Sequence, residues 1–177
     1  MPALDASTSA LLLVDFQTRL RPAMHGADQA VQNARRLVQA AHLLGVPALL
    51  TEQNPGRLGP TVPELGAEER PVLAKMTFDV TRDPGFEAAL PGRPTLVVAG
   101  WEAHVCVLQT VLGLLARGRR VAVVEDAVGS RRPESREAAV RRMTAHGAEA
   151  VTAEMAVFEW LGSAEHPHFR EVVALIK

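Results

Sequence analysis

The sequence predicts an α/β fold of three layers, αβα, in which a mostly parallel six-stranded sheet is covered by helices on both faces. Two observations carry that prediction. Short, nearly all-apolar runs such as 10–14 and 95–99 have the pattern of strands buried on both faces, whereas half-exposed strands alternate apolar and polar residues. These runs alternate with segments of helical periodicity along almost the whole chain, as a parallel sheet with crossover helices requires.

Taken in order, residues 10–15 (ALLLVD) form the first strand and end in a carboxylate. From Ala27 to Leu44 the spacing of Ala30, Val31, Ala34, Leu37, Val38 and Ala41 predicts a helix that Gly45 stops. A second strand is expected at 46–51. Segment 52–71 contains Asn54-Pro55-Gly56, Gly59-Pro60, Pro63, Gly66 and Pro71, a density of breakers that predicts a loop with one short helix from Val62. Loops of this length are often functional. A short strand at 72–74 and a helix from Pro84 to Leu90 precede the buried strand 95–99, which Gly100 is expected to end. The Val- and Leu-rich stretch 104–117 predicts a helix closed by Gly118, followed by a strand at 120–124. A helix over 133–146 ends before Gly147, a last strand falls at 149–152, and two helices near 154–161 and 167–176 close the chain. The expected strand order is the common Rossmann-like one, 3-2-1-4-5-6.

The 177 residues are 47% hydrophobic, enough for a buried core, and predict one domain spanning 1–177. With 19 Lys and Arg against 20 Asp and Glu the net charge is −1, which gives no bulk electrostatic reason to expect nucleic acid or an anionic membrane as partner. A small-molecule substrate is expected instead. The single cysteine forms no internal disulfide, and the opening MPALDASTSA lacks a basic segment followed by a long apolar one; both favour the cytoplasm. No apolar run reaches the roughly 18 residues of a membrane span.

In open sheets of this type, ligands lie beyond the carboxyl ends of the strands, where the strand order reverses. Asp15 ends the first strand, Lys75 follows the third, and Cys106 lies a few residues beyond the fourth. The expected order makes the first and fourth strands neighbours and so brings Asp15 and Cys106 together. In the first turn of the following helix, free backbone N–H groups and the helix dipole would favour a Cys106 thiolate; the alternative is a small buried hydrophobe. Asp15 at the end of an apolar strand needs a partner to stay charged and suits a general base, or it is a loop cap. Lys75 would hold Asp15 and compensate negative charge, or it is a snorkelling surface lysine.

Other groups carry weaker signals. His166 and His168 form an H-x-H without a third ligand nearby, so no metal site is expected. His104 stands close to Cys106 and could replace Asp15 as base. No Gly-x-Gly-x-x-Gly follows the first strand, which argues against a dinucleotide, and no cofactor is expected. The arginines at 131, 132, 136, 141 and 142 are interrupted by Glu134 and Glu137 and fit a solvated helix face. Phe16 and Trp101 flank the nucleophile in sequence and form either an apolar substrate wall or core packing.

The segments LLLVDFQ (11–17), AKMTF around Lys75, VVAGWEAHVCV (97–107) and the stretch from Gly118 through Val124-Glu125-Asp126-Ala127 to Ser130 together resemble the isochorismatase-like cysteine hydrolases. They occur in that family's order and spacing and span nearly the whole chain. The loop TEQNPGRLGPTVPEL at 51–65 is similar to that of the isochorismatase-domain group. The resemblance implies a catalytic triad of Asp15, Lys75 and Cys106. It also implies a cis peptide at Trp101–Glu102 that turns the Glu102 N–H toward that of Cys106 as an oxyanion hole, and assembly into a homo-oligomer. Ala103 stands where many relatives have Thr, and Thr51-Glu52-Gln53 replaces the Asp-x-His metal ligands of nicotinamidases, which disfavours a metal-dependent nicotinamidase. A cysteine at position 106 points to covalent attack on an amide-like carbon.

Overall fold

In the computed structural model, residues 3–90 and 92–177 are described. The six strands are β1 (Ser9–Val14), β2 (Ala48–Gln53), β3 (Val72–Lys75), β4 (Thr95–Trp101), β5 (Arg120–Gly129) and β6 (Glu149–Val151). They form one sheet in the order β3-β2-β1-β4-β5-β6, as the sequence predicts. Every strand pair is parallel. The helices are α1 (Ala27–Leu43), α2 (Pro55–Leu58), α3 (Phe86–Ala89), α4 (Leu108–Ala116), α5 (Pro133–Ala145), α6 (Ala153–Leu161) and α7 (Phe169–Ile176).

The apolar runs explain the sheet. All six residues of β1 and all seven of β4 are buried, because both strands are central and each face is covered. Leu11, Leu13, Val97 and Ala99 pack toward α1, α6 and α7. Ala10, Leu12, Val14, Leu96 and Val98 pack toward α4 and α5. This split follows from the alternation of side chains along a strand. On α1 the predicted stripe is the buried one, from Ala30 to Ala41. Among the described residues no helix is long and apolar enough to cross a membrane.

Four differences from the expected elements occur at the sheet's carboxyl end. Gly100 does not end β4; the strand continues to Trp101. Here Gly100 has φ 148°, and a Cβ would run into the carbonyl and side chain of Val14, so glycine allows β4 to lie hard against the end of β1. β5 extends past 124 to Gly129, with a register shift opposite β4 between Val98 and Gly100. The irregularity lets Glu125 and Asp126 remain partly exposed inside a strand, which hides it from a reading of apolar runs. The helix expected over 104–117 begins as a π-helical turn, Ala103–Val107, and becomes α-helical only at Leu108. The loop after β2 contains α2 as well as a 3₁₀ turn at Pro63–Leu65, with Pro in the first turn of each.

Candidate active site

The strand order and register bring three strand ends together. Val14 is opposite both Thr51 of β2 and Gly100 of β4, and Lys75 of β3 is opposite Gln53. Adjacent strands are about 4.8 Å apart, so β3 lies roughly 9.6 Å from β1 with β2 between them. A long lysine spans that gap. Lys75 Nζ donates to Asp15 Oδ2 at 2.8 Å and to the Thr77 carbonyl at 3.1 Å. Thr51, one strand nearer, reaches Asp15 with its short hydroxyl and donates to Oδ1 at 2.6 Å. Asp15 adopts φ 54°, the left-handed region that aspartate tolerates better than most residues. Its own N–H donates to the Thr51 carbonyl at 3.1 Å.

The pair is dry: the side chains of Lys75 and Asp15 are both 0% exposed. A buried ion pair has a large desolvation cost that its mutual attraction and additional hydrogen bonds must offset. Here Thr51 and Thr77 supply those bonds.

Cys106 lies in the π-helical turn, 8% exposed. Burial pushes its thiol well above the ordinary cysteine range, and the nearby Asp15 carboxylate adds to the shift. Lys75 opposes the shift and Glu102 adds to it. The sequence-based expectation of a thiolate at a helix N-terminus is therefore corrected. The α-helix begins two residues later, and burial beside a carboxylate outweighs the dipole.

The Trp101–Glu102 peptide is cis. The Glu102 carbonyl accepts from the N–H groups of Val105 and Val107 at 3.0 and 3.2 Å, fixing the turn that carries Cys106. Its carboxylate is drawn outward, to Arg131 Nε at 2.8 Å. His104 does not serve Cys106: its Nδ1 is 2.9 Å from Ser130 Oγ, and with Arg131, Arg132 and Ser135 it lines a separate cavity of about 370 Å³. Another cavity, of about 290 Å³, reaches Lys75 and is also lined by Pro55, Met76, Thr77 and Arg82.

Phe16 and Trp101 are corrected as candidate substrate contacts. They are 1% and 0% exposed, meet in a tilted contact with ring centroids 4.8 Å apart and planes at 57°, and belong to the cluster facing α1 and α6, whereas Cys106 belongs to the cluster facing α4. The packing alternative holds because Trp101 continues the buried alternation of β4. His166 and His168 stand with ring centroids 5.8 Å apart, and His168 pairs with Glu171. Among the described residues no group of three or more His, Cys, Asp or Glu side chains is placed to hold a metal ion.

Comparison with known proteins fits this geometry. The family model for the isochorismatase domain matches residues 9–155. The chain belongs to the isochorismatase domain family. Human isochorismatase domain-containing protein 2 is 43% identical over 173 residues, covering 96% of this chain and 83% of the relative. Among solved structures, the MAR1 ribonuclease of Caenorhabditis elegans is 36% identical with TM-score 0.92, covering 99% of this chain and 92% of that one. The YcaC gene product of Escherichia coli, described as an octameric hydrolase of unknown specificity, is 28% identical with TM-score 0.89, covering 99% and 88%. Membership of the family supports a hydrolase role.

Two polar residues at the site carry no signal of their own in the sequence reading. Thr51 enters there as the end of a strand, the start of the 51–65 loop and part of a missing metal motif, with no role at the site. Gln17, 0% exposed, donates from Nε2 to the Gln53 and Gly59 carbonyls at 3.0 and 2.7 Å and accepts from the Gln53 N–H at 2.9 Å. It thereby ties the loop after β2 to the end of β1. Glu52 accepts from the N–H and hydroxyl of Thr61 at 2.7 and 2.8 Å and fastens the same loop. The available signal for Gln17 is its place in LLLVDFQ, a polar residue directly behind a buried strand.

Proposed function

We propose that the chain is one domain, residues 1–177, acting in the cytoplasm as a homo-oligomer, and that it hydrolyses a small amide-like C–N substrate through a thioester on Cys106. The observation that carries this reading is the buried contact of Asp15 with Lys75 at 2.8 Å, with Cys106 near enough for the Asp15 carboxylate to push its thiol up. Asp15 takes the thiol proton as Sγ attacks the substrate carbonyl carbon. Burial favours the thiol over the thiolate, and in this reading deprotonation by Asp15 accompanies attack. The N–H groups of Glu102 and Cys106 receive the developing oxyanion. The tetrahedral adduct collapses, the C–N bond breaks, and the departing amine takes the proton from Asp15. Water, deprotonated by Asp15, then attacks the thioester; the acid leaves and the thiol regains its proton. Lys75 keeps Asp15 oriented and balances its charge. The octameric assembly of the Escherichia coli hydrolase supports the homo-oligomer.

The test is a panel of small amides, with Cys106 alkylation by iodoacetamide followed by intact mass. Cys106→Ala and Asp15→Asn are expected to remain folded and lose turnover, and Asp15→Asn to slow alkylation at least tenfold. Undiminished turnover in Cys106→Ala would sink the cysteine mechanism, and a wild type that turns over no amide would leave a non-catalytic binding protein. Peroxide-dependent mass shifts on the wild type without amide turnover would favour a redox-responsive thiol.

A second reading has one observation behind it. The worm relative is described as a ribonuclease, and the cavity of His104, Arg131, Arg132 and Ser135 offers cationic groups to a phosphate. RNA cleavage retained in Cys106→Ala and lost in His104→Ala would favour it.

A further inference from the structure

From the contacts around Asp15 we infer that Thr51 is a positioning residue for the reaction, whose hydroxyl holds one oxygen of the Asp15 carboxylate so that the group accepts the Cys106 proton in a fixed orientation. The inference rests on the proposed role of Asp15 as base. Three observations converge on it. First, Thr51 is 1% exposed, and its hydroxyl donates to Asp15 Oδ1 at 2.6 Å, the short distance of a hydrogen bond to an ionised acceptor. Second, the two residues are joined again through the backbone, Asp15 N–H to the Thr51 carbonyl, so the hydroxyl is held by the sheet itself. Third, Asp15 has left the strand conformation, with φ 54°. Its carboxylate direction is therefore not set by the pleat, and side-chain partners must set it.

The division of labour follows from the donors. Lys75 engages Oδ2 and Thr51 engages Oδ1, while the thiol of Cys106 is the donor that leaves its proton behind. Thr51 thus fixes rotation of the carboxylate about its last torsion, which Lys75 alone would leave free to swing about Oδ2. It also gives the buried carboxylate a second side-chain donor beside Lys75. The groups that can charge and face this centre are Lys75 from β3, Cys106 from the π-helical turn and Glu102 from the end of β4. From β2 the next residue, Glu52, is engaged with Thr61.

The experiment is the rate of Cys106 alkylation by iodoacetamide at one fixed pH in the whole protein, for wild type, Thr51→Val, Thr51→Ser and Asp15→Asn. In Thr51→Val the rate is expected to fall about tenfold, the order that loss of a hydrogen bond to a charged group corresponds to. Thr51→Ser, which keeps the hydroxyl, restores the wild-type rate. A rate unchanged in Thr51→Val, or lowered equally in Thr51→Ser, overturns the inference. If Asp15→Asn itself leaves the rate unchanged, it is the base reading that fails. Should the valine variant fail to fold, Thr51→Ala gives the same comparison without a hydroxyl.

Discussion

The carboxyl end of the sheet contains two clusters of charged and polar side chains that obey different physics. On the β3-β2-β1 side, Lys75, Asp15 and Thr51 are buried, and the two carboxylate oxygens are each met by a donor. On the β4-β5 side, Glu102 pairs with Arg131, whose side chain is 60% exposed, and His104 faces an open cavity. The first cluster is buried, so removing any member leaves a charge or a polar atom stranded. The second is solvated and screened, so its members are exchangeable. Chemistry that needs a fixed proton acceptor belongs in the first; adaptable contact with ligand or partner suits the second.

The largest effect that tests this contrast is expected from Lys75→Ala. It leaves Asp15 buried and unpaired, and chemical denaturation should show a loss of roughly 3–5 kcal/mol; a loss under 1 kcal/mol would mean that water reaches the pair. The next effect is in pH. Burial and Asp15 hold the Cys106 thiol up in the folded state, while the unfolded chain ionises it near an ordinary cysteine value of about 8.5. The contribution is complete below that value and is lost as pH rises toward the folded-state value, because only the unfolded chain then gains by ionising. Stability should therefore decline above about pH 8.5 with a component approaching 1.4 kcal/mol per unit that is missing in Cys106→Ala. A wild-type slope equal to that of the variant would show an ordinary thiol. The smallest effect is expected from Arg131→Ala, which breaks a half-exposed pair: thermal unfolding should register at most about 1 kcal/mol, with the alkylation rate of Cys106 unchanged.

Much of the architecture was legible because burial on both faces writes itself into composition. LLLV and TLVVA can be little other than central strands, and the stripe from Ala30 to Ala41 little other than the covered side of a helix. Asp15, Lys75 and Cys106 were legible as reactive types at strand ends. The far half of β5 was not, because Glu125 and Asp126 interrupt its apolar run at the irregular stretch where register slips. Nor was the protonation state of Cys106, which depends on how deeply the turn is packed and on which carboxylate it meets.

The sequence by itself determined the layering and the residue types placed at strand ends, since periodicity and chain connectivity are local properties of the chain; the strand order was expected only as the common one for such sheets, and the pairing of the strands bears it out. Only the tertiary structure decided that Thr51 completes the Asp15 shell, that Phe16 and Trp101 are core, that His104 turns to Ser130, and that burial beside Asp15 pushes the Cys106 thiol up. Those outcomes depend on distances between residues far apart in the chain and on the exclusion of water around them, neither of which a linear pattern encodes.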